Sequence, residues 1–189
     1  MDFFVSNFHL PPKRPLWAET DLAMMDYYDH HFGYPTHDDR QLFEMLTLEI
    51  FQAGLAWTMV WKRRADFQRA FANYDIRAIA AFDDQDFQRL LRDKTIIRNH
   101  QKILAVIKNA RALCRMWDRG WGFDNYLWSQ IDWQPLRIHP QADGRLPATI
   151  PAAVKMAQQL KKDGFSRTGP VTTFSFMCAA GLVNARLDN

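Results

Sequence analysis

Glu49 is the residue whose type and position most need a chemical explanation. It falls on the apolar stripe of a helical pattern, with Leu42, Leu46 and Ala53. Burying a lone carboxylate is costly unless it is hydrogen-bonded or paired. Two readings are open. Either Glu49 pairs with a buried arginine or backbone amides, or its partner is a ligand and the site is costly when empty. Close behind comes Gln52-Ala53-Gly54-Leu55-Ala56-Trp57, a helix ending at glycine, then an exposed leucine and an indole. As structure, this is a helix–helix turn with core anchors. As function, it presents Leu55 as a wedge between bases.

A third segment is Leu90-Leu91-Arg92-Asp93-Lys94-Thr95-Ile96-Ile97-Arg98, which joins two helical patterns. Backbone amides at such a hairpin and at the next helix's N-terminus suit one phosphate. Arg92, Lys94, Arg98, His100 and Lys102 make the turn basic. The alternative is a solvated turn carrying ordinary surface charge. A fourth segment, Tyr27 to Pro35, holds His30 and His31 with Asp29, and His37 follows. Nothing in the spacing puts the three histidines on one face, so they read as exposed residues of a polar segment. There is no Ser-His-Asp or Cys-His nucleophile arrangement and no phosphate-cradling glycine loop.

The elements that must position these residues read as helices. Asp38 or Asp39 caps a helix to about Ala53, with Gly54 at its end. A segment over 65–74 turns Phe67, Ala70 and Phe71 inward. Asp75 caps a short helix through Phe82, and Asp83 or Asp84 caps the next. A long helix starts near Asn99, with Ile103, Val106, Ile107, Ala110 and Leu113 at helical spacing. Residues 134–151 form a proline-punctuated loop. A helix over 152–163 stops at Gly164, and Pro170 opens a last helix to about Leu182. No stretch alternates with period two, so the fold is expected to be all-α. Helical patterning is expected to begin at Asp38, after an irregular segment over residues 1–20.

The 189 residues suit a single domain over 1–189. Apolar residues at 48% supply a core without staples, and 24% charged residues exclude a disordered chain. Two cysteines, Cys114 and Cys178, exclude a zinc site of four cysteines and fit a reducing compartment. No apolar run reaches membrane-helix length and no secretory leader is evident, so a cytoplasmic protein without a membrane partner is expected. A net charge of +3 permits a polyanionic partner without requiring one. Aromatic residues at 14% fit either a thick core or a stacking site.

Together the segments resemble the DNA-3-methyladenine glycosylase I family. The resemblance runs from Tyr27 to Asn184. It is carried by Leu42-Phe43-Glu44-Met45, Leu48-Glu49, Gln52 to Trp57, Ile96-Ile97-Arg98-Asn99, Lys102-Ile103 and Asn109-Ala110. It closes with Gly164-Phe165, Thr168-Gly169-Pro170, Ser175-Phe176-Met177 and Gly181-Leu182-Val183-Asn184. The resemblance implies a helix–hairpin–helix DNA glycosylase fold, with two helical lobes and a base-binding pocket between them. The helix–hairpin–helix unit would span 84–117. It implies a monofunctional enzyme that hydrolyses alkylated adenine from double-stranded DNA and needs no cofactor; a monomer is expected. By position, Glu49 matches the carboxylate that binds the adenine edge, and Trp57 and Tyr27 match stacking walls. Gly54 and Leu55 match the turn that fills the gap left by the extracted nucleotide. Arg92, Lys94, Thr95 and Arg98 match the hairpin that grips the backbone. The alternative is a nucleic-acid-binding relative that has lost or changed its turnover.

The chain departs from the resemblance in two places. The family's structural zinc is held by two Cys and two His, but Tyr28 and Arg186 stand where histidines are expected and no cysteine precedes Cys114. No metal is therefore expected. Packing of Phe3, Phe4, Phe8 and Trp17 would take over its clip between the chain ends. Around the pocket, Ile50 and Phe51 follow Glu49, and Met24 replaces a tyrosine. A bulkier neighbour beside the carboxylate would narrow the pocket or change which alkylated base fits. Thr95 replaces the hairpin glycine, which would alter the hairpin.

Overall fold

The computed structural model describes residues 13–139 and 145–187. Phe3, Phe4 and Phe8 lie outside the described residues. The helices are α1 (Leu22–His30), α2 (Asp39–Gln52), α3 (Trp57–Trp61), α4 (Arg64–Ala70) and α5 (Ile76–Ala80). They continue with α6 (Asp84–Arg92), α7 (His100–Asp118), α8 (Phe123–Trp128), α9 (Pro151–Lys162) and α10 (Pro170–Ala179). The strands described are β1 (Leu136–Arg137) and β2 (Val183–Asn184), paired in parallel. The fold is all-α. No helix among the described residues is long and apolar enough to cross a membrane.

Helix α2 runs through the middle. Its apolar residues Leu42, Phe43, Leu46, Leu48, Ile50 and Phe51 point in several directions and are all buried. A helix that is apolar on most of its circumference must be covered on most sides. Its neighbours supply that cover: α10 on one flank, α7 and α8 on another, with α3 beyond its end. α9 packs on α10, and α5 and α6 pack on α7. Two groups of helices thus share α2. Its entry is fixed twice. The Asp38 side chain caps it by accepting from the Gln41 amide at 2.8 Å. Asp39 instead accepts from the amides of Phe123 and Asp124 and from the Trp117 indole, which ties α8 to α2.

Several expected boundaries hold for the expected reason. Asp83 and Asp86 form a reciprocal capping box on α6. Asn99 caps α7 by accepting from the Lys102 amide at 3.1 Å. Pro151 and Pro170 occupy the first turns of α9 and α10. Others move. Helical structure begins ahead of Asp38: a 3-10 helix at Leu16–Glu19 lies within the segment expected to be irregular, and Asp21 caps α1 through the Met24 amide. Its aromatic face is inside: Tyr27 and Tyr28 are buried, so the segment is not simply polar. The expected helix over 65–74 breaks after Ala70, where Ala72, Asn73 and Tyr74 take positive φ. Ala53 is exposed, so the stripe of α2 ends before it. α10 stops short of Leu182. Gly181 has φ +73°, and a Cβ there would lie 2.4 Å from the Pro35 nitrogen.

An arginine ties the segment after β2 to α1. Arg186 Nη1 donates to the carbonyls of Tyr28 and Phe32, at the C-terminal end of α1. Its guanidinium lies 4.4 Å from the Tyr28 ring centre and 4.7 Å from that of Tyr34. The Leu187 amide donates to the Tyr28 hydroxyl at 2.9 Å. The two positions where histidine ligands are expected thus touch each other. Zinc does not fit these residues: Arg186 has no lone pair to offer and already brings a positive charge. Of the aromatic residues expected to replace the clip, Trp17 packs edge-on against Tyr28 and Phe32.

Candidate active site

Glu49 lies at 6% exposure and walls a cavity of about 400 Å³. No side chain among the described residues neutralises it. Burial alone pushes its carboxyl up to about 8. An arginine does lie within the fold near this helix, half-buried, but it serves another residue. Arg64 donates to Glu44, at 2.7 Å and 3.1 Å, and Gln68 donates to the same carboxylate at 3.0 Å.

Aromatic rings build the slot beside Glu49. Trp57 and Tyr27 both line it, with ring centres 5.1 Å apart, and Trp17 and Phe32 complete that side. Trp57 opens α3 and Tyr27 sits on α1, so packing between these two helices sets the ring spacing. Burial and the nearby Glu49 drive the Tyr27 phenol well above its ordinary pKa. It stays neutral and offers an uncharged face. The Trp57 indole N–H is buried without a hydrogen-bond partner among the described residues.

The opposite wall comes from α10 and from the loop before α9. Val171, Phe174, Ser175 and Cys178 face the cavity at helical spacing, and Leu146, Pro147 and Ala148 close its side. Sequence reasoning did not assign these residues to the site. The stripe 171/174/175/178 was the available signal. The Cys178 thiol is pushed up to about 12 by burial and by Glu49, so it stays protonated. Ile50, Phe51 and Met24 do not line the cavity. One step along a helix rotates a side chain by about 100°, which turns Ile50 and Phe51 away from Glu49. Phe51 packs on Phe67 at 4.6 Å instead. The expected narrowing is absent.

Gly54 and Leu55 form the turn that leaves α2. Gly54 takes φ +82° with open space where a Cβ would be. The turn is fastened by the Leu55 amide donating to the Gln52 carbonyl at 2.6 Å, and by the Gln52 side-chain amide donating to the Leu55 carbonyl at 2.9 Å. Leu55 is half-buried, not fully exposed.

Arg92, which ends α6, and Lys94, Thr95 and Arg98, on the connection to α7, are exposed and lie outside the cavity. Thr95 does not take positive φ. Its amide and hydroxyl donate to Asp93, and Arg69 donates to its hydroxyl at 2.9 Å. The connection is thus pinned by side chains where glycine was expected. Lys102 does not belong to that exposed patch: it is buried and turned toward α2. The histidines go separate ways. His30 contacts Asp26, His31 packs on Trp61, and His37 bonds Asp124 and stacks on Trp128. No cluster that could hold a metal occurs among the described residues.

An all-α scaffold with an acid held bare in an aromatic slot has the makings of a site for a flat, electron-poor ring. The methyladenine glycosylase family model matches residues 17–189. DNA-3-methyladenine glycosylase 1 of Escherichia coli (strain K12) is 38% identical over 168 residues, or 89% of this chain and 90% of that protein. A crystal structure of 3-methyladenine DNA glycosylase I superimposes with a TM-score of 0.89 at 39% identity, covering 94% of this chain and 97% of that one. The Staphylococcus aureus 3-methyladenine DNA glycosylase I, solved for the structural basis of 3-methyladenine recognition, gives 0.85 at 30% identity, covering 90% of each chain. The chain belongs to the methyladenine glycosylase family.

Proposed function

We propose that this chain excises adenine alkylated in the manner of 3-methyladenine from double-stranded DNA, by hydrolysis of the N-glycosidic bond. The observation that carries this is Glu49, buried and unneutralised, beside an aromatic-lined cavity of about 400 Å³. That volume lies in the range of pockets for small ligands.

A base inside a duplex is out of reach, so it must be flipped, at a cost of a few kcal/mol. An alkylated, poorly stacked base lowers that cost. Ring methylation also leaves the base cationic while it is attached to sugar. When the C1′–N bond breaks, the bonding electrons go to the base, which departs neutral and needs no proton. Water adds to the sugar carbon and loses a proton. Glu49 therefore need not be a nucleophile or a strong acid. It accepts from the exocyclic amine and orients the ring. A carboxyl that is largely protonated in the empty site gives up its proton as the cation enters. Trp57 and Tyr27 stack on the base, each contact being worth about 1–3 kcal/mol. Cation–π attraction adds to stacking when the site is dry.

Outside the pocket, Gly54 and Leu55 fill the gap left in the duplex. Arg92, Lys94, Thr95 and Arg98 grip the backbone as the hairpin of a unit over 84–117 within one domain. The enzyme works as a monomer in the cytoplasm; both cysteines are free thiols, and one chain supplies pocket, wedge and grip.

The test is release of free base. The protein is incubated with DNA treated by a simple methylating agent, and the supernatant is analysed for methylated adenines. Release by the wild type that disappears in Glu49→Gln is expected. DNA binding with no release from any alkylated substrate would sink the reading.

A further inference from the structure

Lys102 is a buried cation at 6% exposure, in the first turn of α7. No carboxylate pairs with it among the described residues. Its ammonium donates to two backbone carbonyls, those of Phe51 at 2.8 Å and Ala53 at 2.7 Å. A buried ammonium facing only carbonyls is a costly arrangement, and burial together with Arg167 depresses its pKa. The carbonyls it reaches belong to the last turn of α2. Helix ends leave such carbonyls unsatisfied, and a cation there also meets the negative end of the helix dipole.

The location gives that bond a use. Upstream of Lys102 in sequence lies the exposed connection with Arg92, Lys94 and Arg98, followed by the Asn99 cap. At the other end of the side chain, Ala53 is the residue at which the backbone leaves helical geometry to enter the Gly54-Leu55 turn. Glu49 is one turn back along the same helix, and its carbonyl accepts from the Ala53 amide. A single side chain therefore joins the element assigned to the phosphate grip to the element assigned to the wedge.

We propose that Lys102 is a positioning residue that fixes the Gly54-Leu55 turn relative to the hairpin, so that grip and wedge act on the same nucleotide. This rests on the glycosylase reading above. Lys102 touches no substrate; it acts through the turn. Loss of its bonds leaves the slot beside Glu49 in place but lets the wedge drift. Extraction from a duplex, where the vacated space must be filled, then suffers more than reaction on a single strand, where no gap opens.

Single-turnover excision from methylated duplex and from methylated single-stranded DNA is measured for the wild type, Lys102→Met, Leu55→Ala and the double variant. Binding of free 3-methyladenine is followed by tryptophan fluorescence. Lys102→Met is expected to slow duplex excision by about 10- to 100-fold, as misplaced reacting groups do. Single-strand excision and free-base affinity are expected to change less than about 3-fold. The double variant should fall well short of the product of the two single effects, because both act on one step. Duplex excision unchanged in Lys102→Met overturns the proposal. So does an equal loss on both substrates together with free-base binding, which marks a general structural role. If Lys102→Met does not fold, Lys102→Gln, one bond shorter and uncharged, weakens the hold on both carbonyls and carries the same comparison. A wild type that releases no base defeats the glycosylase reading itself, and this inference with it.

Discussion

Helix α2 carries two acidic side chains buried to the same 6% exposure, Glu44 and Glu49. Glu44 meets a guanidinium through two bonds and an amide through a third. Glu49 meets aromatic rings and a void. Burial alone therefore does not mark a functional acid. What sets Glu49 apart is burial without a partner, which holds its carboxyl protonated until, in the proposed function, a cationic base displaces the proton. The first carboxylate is satisfied within the fold; the second is the one that the proposed function uses.

That contrast is open to attack. Glu44→Gln leaves Arg64 without its anion and is expected to cost about 2–3 kcal/mol of stability, while the folded variant still releases base. Chemical denaturation and the base-release assay on one preparation check this. Glu49→Gln should do the reverse, cutting excision at least ~100-fold, or about 2.7 kcal/mol in the barrier, without loss of stability. An activity loss in Glu44→Gln as deep as in Glu49→Gln would erase the distinction.

The pH dependence sharpens it. The Glu49 carboxyl titrates near 4.5 in an unfolded chain and near 8 in the fold. The folded state holds the extra proton in between. The stabilisation from this group is complete below about 4.5 and is lost as pH rises through about 8. Stability of the empty protein is expected to fall by roughly 2–4 kcal/mol between pH 5 and pH 9, and Glu49→Gln should flatten that slope. Thermal melts across the range report it, and parallel slopes in the two proteins would contradict it.

Exposed charges are a third case, neither buried nor bare. Reversal of Lys94 and Arg98 to glutamate should leave stability within about 0.5 kcal/mol. It should weaken DNA binding by about 10-fold or more and flatten its dependence on salt. Unchanged affinity and slope across a salt titration would remove the hairpin from the interface. The last case is Arg186, which shares its charge between carbonyls and rings. Arg186→Met should cost about 1–2 kcal/mol. Elemental analysis of protein purified without added metal should find no stoichiometric zinc, and one tightly held equivalent would contradict the poor fit of Arg186 to a metal.

Much of this was legible in the residues. Caps announced α2, α6 and α7, because Asp and Asn before an apolar stripe have a local job. Glu49 was legible because an acid on an apolar stripe breaks the pattern. Local reading failed where the cause was distant. α3 and α8 are too short to show a period, and α1 hides its buried tyrosines among histidines and aspartates. Lys102 sits in a run of basic residues and looks like surface charge; only its bonds to α2 reveal otherwise. The wall formed by Val171, Phe174, Ser175 and Cys178 needs the third dimension, since a helical stripe does not say what it faces. Ile50 and Phe51 raised concern by adjacency in sequence, whereas helical rotation sends neighbours to different surroundings.

The two-residue ladder between β1 and β2 has a consequence for handling the protein. It zips Leu136 and Arg137, which open the loop carrying Leu146–Ala148, onto Val183 and Asn184 beyond α10. One end of the loop that closes the side of the slot is thereby moored to the strand that follows α10. Cutting the chain before Val183, or a fusion that pries the ladder open, would loosen that loop, so enzymology belongs on protein in which the ladder is intact.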